Sequence, residues 1–340
     1  MHKFILSLVG LALVILTAFI LRYYRAAPFF AVQKEKVYQI GILVRGSGYE
    51  AAVAGYRRKM SELGYTEGKN IVYDVRFVSA KEDIALAVQD FLRIGVDLIH
   101  TYSTPATQAA YQATKDMPHP VPIVFGSVGD PLLAGVVRDF GHPGTNVTGV
   151  SSLSTELTAR RLELLREINP AIQRIAMPHT ASENKDLAAD KSVEIVKDTA
   201  LKLGMTMIFF PVLTREDNDI AAKLILQKNI DGIIVGGDSL VWGSIDAYIA
   251  TAIHEKIPFV AFDLSQVQKG ALIGFGPDYA ISGEQSAIIT NQILRGKPPA
   301  EIPVQVPRKL LLVVNQKTAR AIGIVIPRIV IDKADRIIDE

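Results

Sequence analysis

Six short segments concentrate the residues able to hold a small polar molecule. They are Arg45-Gly46-Ser47-Gly48-Tyr49, Tyr102-Ser103-Thr104-Pro105-Ala106, Gly126-Ser127-Val128-Gly129-Asp130, Pro178-His179-Thr180, Gly236-Gly237-Asp238-Ser239 and Asp263-Leu264-Ser265. Most follow an apolar run and place Gly, Ser or Thr just ahead of a helical pattern. A helix start of this kind offers unpaired backbone N–H groups and hydroxyls to an anion such as a carboxylate. The last two segments add the carboxylates of Asp238 and Asp263. Hydroxyls facing acids across a cleft would suit a zwitterion such as an amino acid. The candidate ligand-binding residues are therefore Ser47, Ser103, Thr104, Ala106, Ser127, Asp130, Thr180, Asp238, Ser239 and Asp263. Ser103, Thr104 and Ser239 also fit plain N-caps, whose hydroxyls satisfy helix N–H groups and nothing more. On the ligand reading, Asp238→Ala weakens binding and leaves the unliganded fold nearly as stable as before.

Other chemistries find less support. Gly46-Ser47-Gly48-Tyr49-Glu50-Ala51 is a G-x-G-x-x-A at a strand-to-helix turn, the context of a dinucleotide site. The ribose-binding acid belongs at the end of the second strand, yet Asp74 lies mid-strand with Arg76 close behind. Ser182-Glu183-Asn184-Lys185 is an S-x-x-K without its S-D-N and K-T-G companions. Six His lie at positions 2, 100, 119, 142, 179 and 254, none with metal-motif spacing, and Cys is absent. Disulfides, thiolate metal sites and a Cys nucleophile are thereby excluded. No cofactor or metal is expected, and the chain does not read as an enzyme. Trp242, the only Trp, fits either an aromatic wall of the cleft or core packing.

The whole chain has 340 residues, 49% hydrophobic and 21% charged, with a net charge of +2. That length suits two domains or one two-lobed fold. Near-neutrality supplies no general field for nucleic acid. The apolar excess is concentrated at the start, where Phe4 to Leu21 run without a charge and are followed by Arg22-Tyr23-Tyr24-Arg25. As a helix this run would measure about 27 Å, close to a bilayer core, with an aromatic and basic belt at its end. A transmembrane anchor is expected, with a cleaved secretory signal as the alternative.

From Val37 the pattern alternates. Apolar runs at 37–44, 71–78, 96–100 and 121–125 read as strands, with helices at 49–63, 82–93 and 104–115 between them. The second half repeats the plan: strands at 172–176, 205–212, 232–235 and 258–262, helices at 186–203, 217–227 and 239–254. Local spellings recur too. Leu63-Gly64-Tyr65 pairs with Leu203-Gly204-Met205, Asp97-Leu98-Ile99 with Asp231-Gly232-Ile233, and Pro122-Ile123-Val124-Phe125 with Pro258-Phe259-Val260-Ala261-Phe262. The expected fold is α/β: two Rossmann-like lobes with parallel sheets flanked by helices around a central cleft.

Several longer stretches carry a family resemblance. They include Ser61-Glu62-Leu63-Gly64-Tyr65-Thr66-Glu67-Gly68-Lys69-Asn70, Thr104-Pro105-Ala106-Thr107-Gln108-Ala109-Ala110, Gly129-Asp130-Pro131 and Pro143-Gly144-Thr145-Asn146-Val147-Thr148-Gly149. Gly296-Lys297-Pro298-Pro299-Ala300-Glu301-Ile302-Pro303-Val304 and Val314-Asn315-Gln316-Lys317-Thr318-Ala319 follow in order near the end. Together they resemble the ABC transporter substrate-binding family that includes tryptophan- and tyrosine-binding members. The resemblance implies a type I periplasmic-binding-protein-like fold that closes around a small solute and presents it to an ABC permease. It implies ligand contacts at Thr104, Ser127, Asp238 and Asp263, and a position outside the cytoplasmic membrane. On that plan residues 1–36 are anchor and linker, 37–150 with about 263–296 form the first lobe, and 151–262 with about 297–340 the second. Met177-Pro178-His179-Thr180 departs from the Tyr-Asn-Pro-like segment of many relatives, and the missing Cys removes the usual lipid tether. A membrane-anchored sensor of the same fold and a dinucleotide-binding enzyme are the alternative readings.

Overall fold

The computed structural model describes residues 36–46, 48–78, 81–181 and 187–339, together with Leu16, Thr17 and Arg22. The chain divides into two units, Met1–Val37 and Tyr38–Glu340. The expected span Phe4–Leu21 lies, but for Leu16 and Thr17, outside the described residues. Among those described, no helix is long and apolar enough to cross a membrane.

The second unit holds two sheets. The first comprises β1 (Tyr38–Arg45), β2 (Ile71–Val78), β3 (Leu98–Tyr102), β4 (Ile123–Val128) and β5 (Val147–Ser151), in the order β2-β1-β3-β4-β5, all parallel. Helices α1 (Glu50–Glu62), α2 (Lys81–Ile94) and α3 (Thr104–Thr114) make the crossovers, and α4 (Thr158–Ile168), α5 (Leu187–Leu203) and α6 (Arg215–Leu226) follow along the chain. The second sheet contains β6 (Arg174–Thr180), β7 (Thr206–Val212), β8 (Gly232–Ile234), β9 (Phe259–Ala261) and β10 (Ile273–Pro277). Their order β7-β6-β8-β9-β10 reproduces the first sheet strand for strand. β11 (Leu310–Asn315) adds antiparallel to β10, and β12 (Arg336–Ile338) closes the edge. Central strands are buried on both faces, as parallel sheets covered by helices require.

The recurring spellings have recurring jobs. Asp97 accepts the Gln39 amide at 2.8 Å and Asp231 the Gln173 amide at 2.9 Å, pinning the first strand of each lobe to its third. The Pro122 and Pro258 carbonyls accept from Ile99 and Ile233 at 2.9 Å in both lobes. Gly64 and Gly204 end their helices at φ +95° and +66°, where a residue with Cβ would be strained.

The lobe boundaries differ from those expected at 263 and 297. β10 pairs with β9, so residues 263–277 stay in the second lobe. The chain returns to the first lobe at α10 (Tyr279–Leu294), which packs along α1. Gly55 and Gly283 permit this approach, because a Cβ at either would strike the carbonyl of Ala280 or Ala52. Segment 297–306 also remains there: Gln305 pairs with Val150, and Val304 N–H donates to Phe140 O at 2.8 Å. The chain therefore passes between the lobes three times, at 152–157, at Asp278 and at 307–309. The helix expected over 239–254 is two, α7 (Ser239–Trp242) and α8 (Ile245–Glu255), broken at Gly243-Ser244.

Candidate functional site

The carboxyl ends of the equivalent strands β3, β4, β8 and β9 face one another across a cleft. Ser103 follows β3 and caps α3, with its side-chain oxygen accepting from the Ala106 amide at 3.4 Å. It does so at φ +96°, a region non-glycine residues rarely occupy, and strain of this kind concentrates at ligand sites. Ser103, Thr104 and Ser127 of the first lobe and Asp238 and Ser239 of the second, half of the candidate residues, line one cavity. Aromatic rings form much of the rest. Tyr49 stands 4.9 Å from Trp242 and 5.1 Å from Tyr279, centroid to centroid, and Trp242 lies 5.4 Å from Phe262. Ser127 Oγ donates to the Tyr49 hydroxyl at 3.5 Å.

Other candidates fall elsewhere. Ser47 lies outside the described residues. Ala106 is fully buried in the first-lobe core. Asp130 caps a turn, its Oδ1 accepting the Leu132 and Leu133 amides at 2.9 and 3.0 Å. Pro178-His179-Thr180, expected as a loop, is the end of β6, and the His179 ring packs edge-on to Phe209 at 5.8 Å. Asp74, mid-strand, is taken up by an ion pair with Arg76 at 2.8 Å, which leaves it no part in a ribose site.

The two acids of the second lobe differ. Asp238 lines the cavity, yet both its oxygens are engaged: Oδ1 accepts the Leu240 amide at 3.0 Å, the Val241 amide at 3.1 Å and Thr180 Oγ1 at 2.8 Å, while Oδ2 accepts the Thr180 amide. It is a cap and a tie between β6 and α7, which explains the burial of Thr180. Contrary to the sequence expectation, Asp238→Ala should therefore destabilise the unliganded fold. Losing a cap costs about 1 kcal/mol, and stranding buried donors raises the total to about 2–4 kcal/mol. At this size that is a melting temperature lower by about 3–6 °C, measurable by thermal circular dichroism.

Asp263 is 2% exposed and caps α9 (Leu264–Gln268). Its Oδ1 accepts Ser265 Oγ at 2.7 Å and the Gln266 amide at 3.1 Å. Oδ2 is buried with no protein partner. Burial raises its pKa above the usual carboxylate range, and bonds from Ser265 and Gln266, with the nearby Arg161 charge, only partly counter it. Asp263 follows Phe262 of the cavity wall, and its charge is felt by Tyr49 and Tyr279, both of which line the cavity. Behind the same wall, the fully buried Arg161 lies 4.5 Å over the Phe262 ring.

Sequence reasoning omitted Tyr49, Ser154 and Tyr279 from the candidates. Tyr49 could have been found beside Gly48. Tyr279 arrives from α10 and Ser154 from the first crossing between lobes, and neither carries a local signal.

A family model described as ABC transporter substrate binding protein matches residues 38–338. A tyrosine-binding protein of Clostridioides difficile (strain R20291) is 31% identical over 294 residues, covering 85% of this chain and 81% of that protein. A Streptococcus pneumonia ABC domain solved in complex with L-Trp superposes with a TM-score of 0.81 at 26% identity, over 89% of this chain and 100% of that one. The ligand-free, open structure of a Clostridium difficile substrate binding protein with adhesive properties gives 0.66 at 27% identity, over 89% and 100%. The chain therefore belongs to the ABC transporter substrate-binding protein family, a family of solute-binding proteins and not of enzymes.

Proposed function

We propose that this protein is the extracytoplasmic receptor of an ABC importer and captures an aromatic L-amino acid by closing its lobes. The observation that carries the reading is the buried Oδ2 of Asp263, which has no protein partner and belongs to the residue next to Phe262 of the aromatic cavity wall. An ammonium group supplies the donor that this oxygen lacks. Ser103 and Ser127 hydroxyls, with the start of α3, offer donors to the carboxylate at the other end. The aromatic walls suit a flat apolar side chain. The tyrosine-binding and L-Trp-bound relatives support the ligand class. Closer superposition on the L-Trp complex than on the open relative supports a closed arrangement, as do Tyr49 and Trp242 touching across the cleft.

The test is calorimetry and thermal melting with the L-amino acids, tyramine and 3-(4-hydroxyphenyl)propionate. At a hundredfold excess over Kd, a bound ligand stabilises by about 2.7 kcal/mol, a rise of several degrees. L-tyrosine or L-tryptophan should give it, while the amine alone and the acid alone should not. No response to any amino acid would overturn the reading.

Membrane tethering through Phe4–Leu21 is part of the same proposal. Its check is whether the chain stays with membranes after alkaline carbonate washing, with the binding unit open to external protease.

A further inference from the structure

The interlobe cavity holds about 30 Å³, room for about two waters, whereas small-molecule sites span roughly 300–1,000 Å³. An amino acid side chain does not fit unless a wall moves. Beside it is a second pocket of about 300 Å³, lined from the first lobe by Gly48 and Glu50 and from the second by Ile245, Ser265, Gln268 and Lys269. Trp242 is a wall of both.

The other aromatic walls are held in place. Tyr49 is 3% exposed and bonded by Ser127, and Phe262 is 3% exposed beneath Arg161. Tyr279 opens a 16-residue helix whose N-terminus Asp278 caps. Trp242 is half-buried and ends a four-residue helix immediately before Gly243. On the side of the outer pocket it meets residue 48, which has no side chain: a Cβ there would sit 3.3 Å from Trp242 Cζ2 and 2.9 Å from Ser265 Oγ.

We propose that Trp242 is a movable partition and that the outer pocket is part of the binding site. In this arrangement the indole stands where the ligand ring belongs, 4.9 Å from Tyr49 and near-parallel to Tyr279 at 6.1 Å and 17°. The ligand displaces it into the outer pocket and takes over its contacts. Selection is thereby for planar, uncharged aromatic side chains, since the entering ring must replace an indole against the same two tyrosines. This deepens the amino-acid reading above and rests on it.

The chain has one Trp, so tryptophan emission, excited at the red edge where tyrosine does not absorb, reports this residue alone. L-tyrosine, which lacks an indole, is titrated into the full chain while heat is measured in parallel. Binding should shift Trp242 emission to longer wavelength as the indole leaves its aromatic surroundings for a pocket with polar walls. Gln268→Phe, which fills the outer pocket, should weaken L-tyrosine binding at least tenfold without lowering the melting temperature. Adding Trp242→Ala to that variant should restore affinity, because no indole then needs the space. Heat of binding with unmoved emission, wild-type affinity in Gln268→Phe, or no rescue in the double variant would overturn this proposal alone. Absence of heat with every amino acid would overturn the ligand reading and this proposal with it.

Discussion

Asp263→Asn is expected to weaken amino-acid binding strongly while raising the melting temperature of the unliganded protein. The substitution keeps the side-chain oxygen that caps α9 through the Gln266 amide and replaces the bare Oδ2 with an NH2 group. It thus removes a buried negative charge and puts a donor where the ammonium would need an acceptor. Truncating one partner of a buried, hydrogen-bonded charge pair costs about 2–5 kcal/mol, so affinity should fall by at least about 30-fold. Isothermal titration with L-tyrosine measures it, and a loss smaller than threefold would place the ammonium elsewhere.

The pH dependence follows from the raised pKa of Asp263, caused first by burial. Its folded pKa lies above the unfolded value of about 3.9. Relative to the ionised form, the neutral carboxyl is favoured by the fold. That contribution is complete below the unfolded pKa and is lost as pH rises through the folded one. Unliganded wild-type protein should therefore lose stability across that window, and the Asn variant should not. Ligand affinity runs the other way: an ammonium needs the carboxylate, so wild-type affinity falls as pH drops through the raised pKa. Melting curves at several pH values check the first trend. A melting temperature lowered by more than about 5 °C in the Asn variant at neutral pH would mark Asp263 as structural.

Asp238 and Asp263 also mark the limit of what the sequence discloses. Both are acids after a short apolar strand and before a helix, both cap that helix, and locally nothing separates them. What divides them is Thr180, 58 residues before Asp238, whose hydroxyl and amide use the oxygens a ligand would need. Asp97 and Asp231, or Gly64 and Gly204, were legible because each does its work within its own βαβ unit. A residue's type and place in the unit then nearly determine its role. Tyr279 and Ser154 were not, because they reach the cavity through chain crossings set by the pairing of β10 with β9 and the packing of α10 on α1. Gly55 and Gly283 hint at that close packing only once the two helices are known to touch.

Arg161→Met is expected to be the most damaging single change outside the ligand contacts. The guanidinium is completely buried and joins β10 and the end of β8 in the second lobe to the first crossing between the lobes: its Nε donates to Phe275 O at 3.1 Å, and Nη1 to Val235 O at 3.5 Å and Ser154 O at 3.1 Å. Two of those residues, Ser154 and Val235, line the cavity, and the Phe262 ring beneath the cation is a third part of the wall. Burial pushes the Arg161 pKa down to about 9, so the group is still charged at neutral pH. Removing a buried cation relieves a desolvation cost, and buried ion pairs have been replaced by apolar residues without loss. Here the hydrogen-bond partners are mainly backbone carbonyls, which cannot be removed with the charge, and Asp263 would also lose a nearby positive charge. Each stranded carbonyl costs about 1–3 kcal/mol, so three outweigh what the lost charge returns, and a net loss of about 3–5 kcal/mol results. The melting temperature should fall by about 5–8 °C, with Arg161→Lys falling less because an ammonium reaches fewer of the three. Chemical denaturation should give a lower midpoint at an unchanged slope, since the folded unit buries the same surface. If Arg161→Met melts within about 2 °C of wild type, the three carbonyls have found other donors and the guanidinium does not hold the cavity wall together.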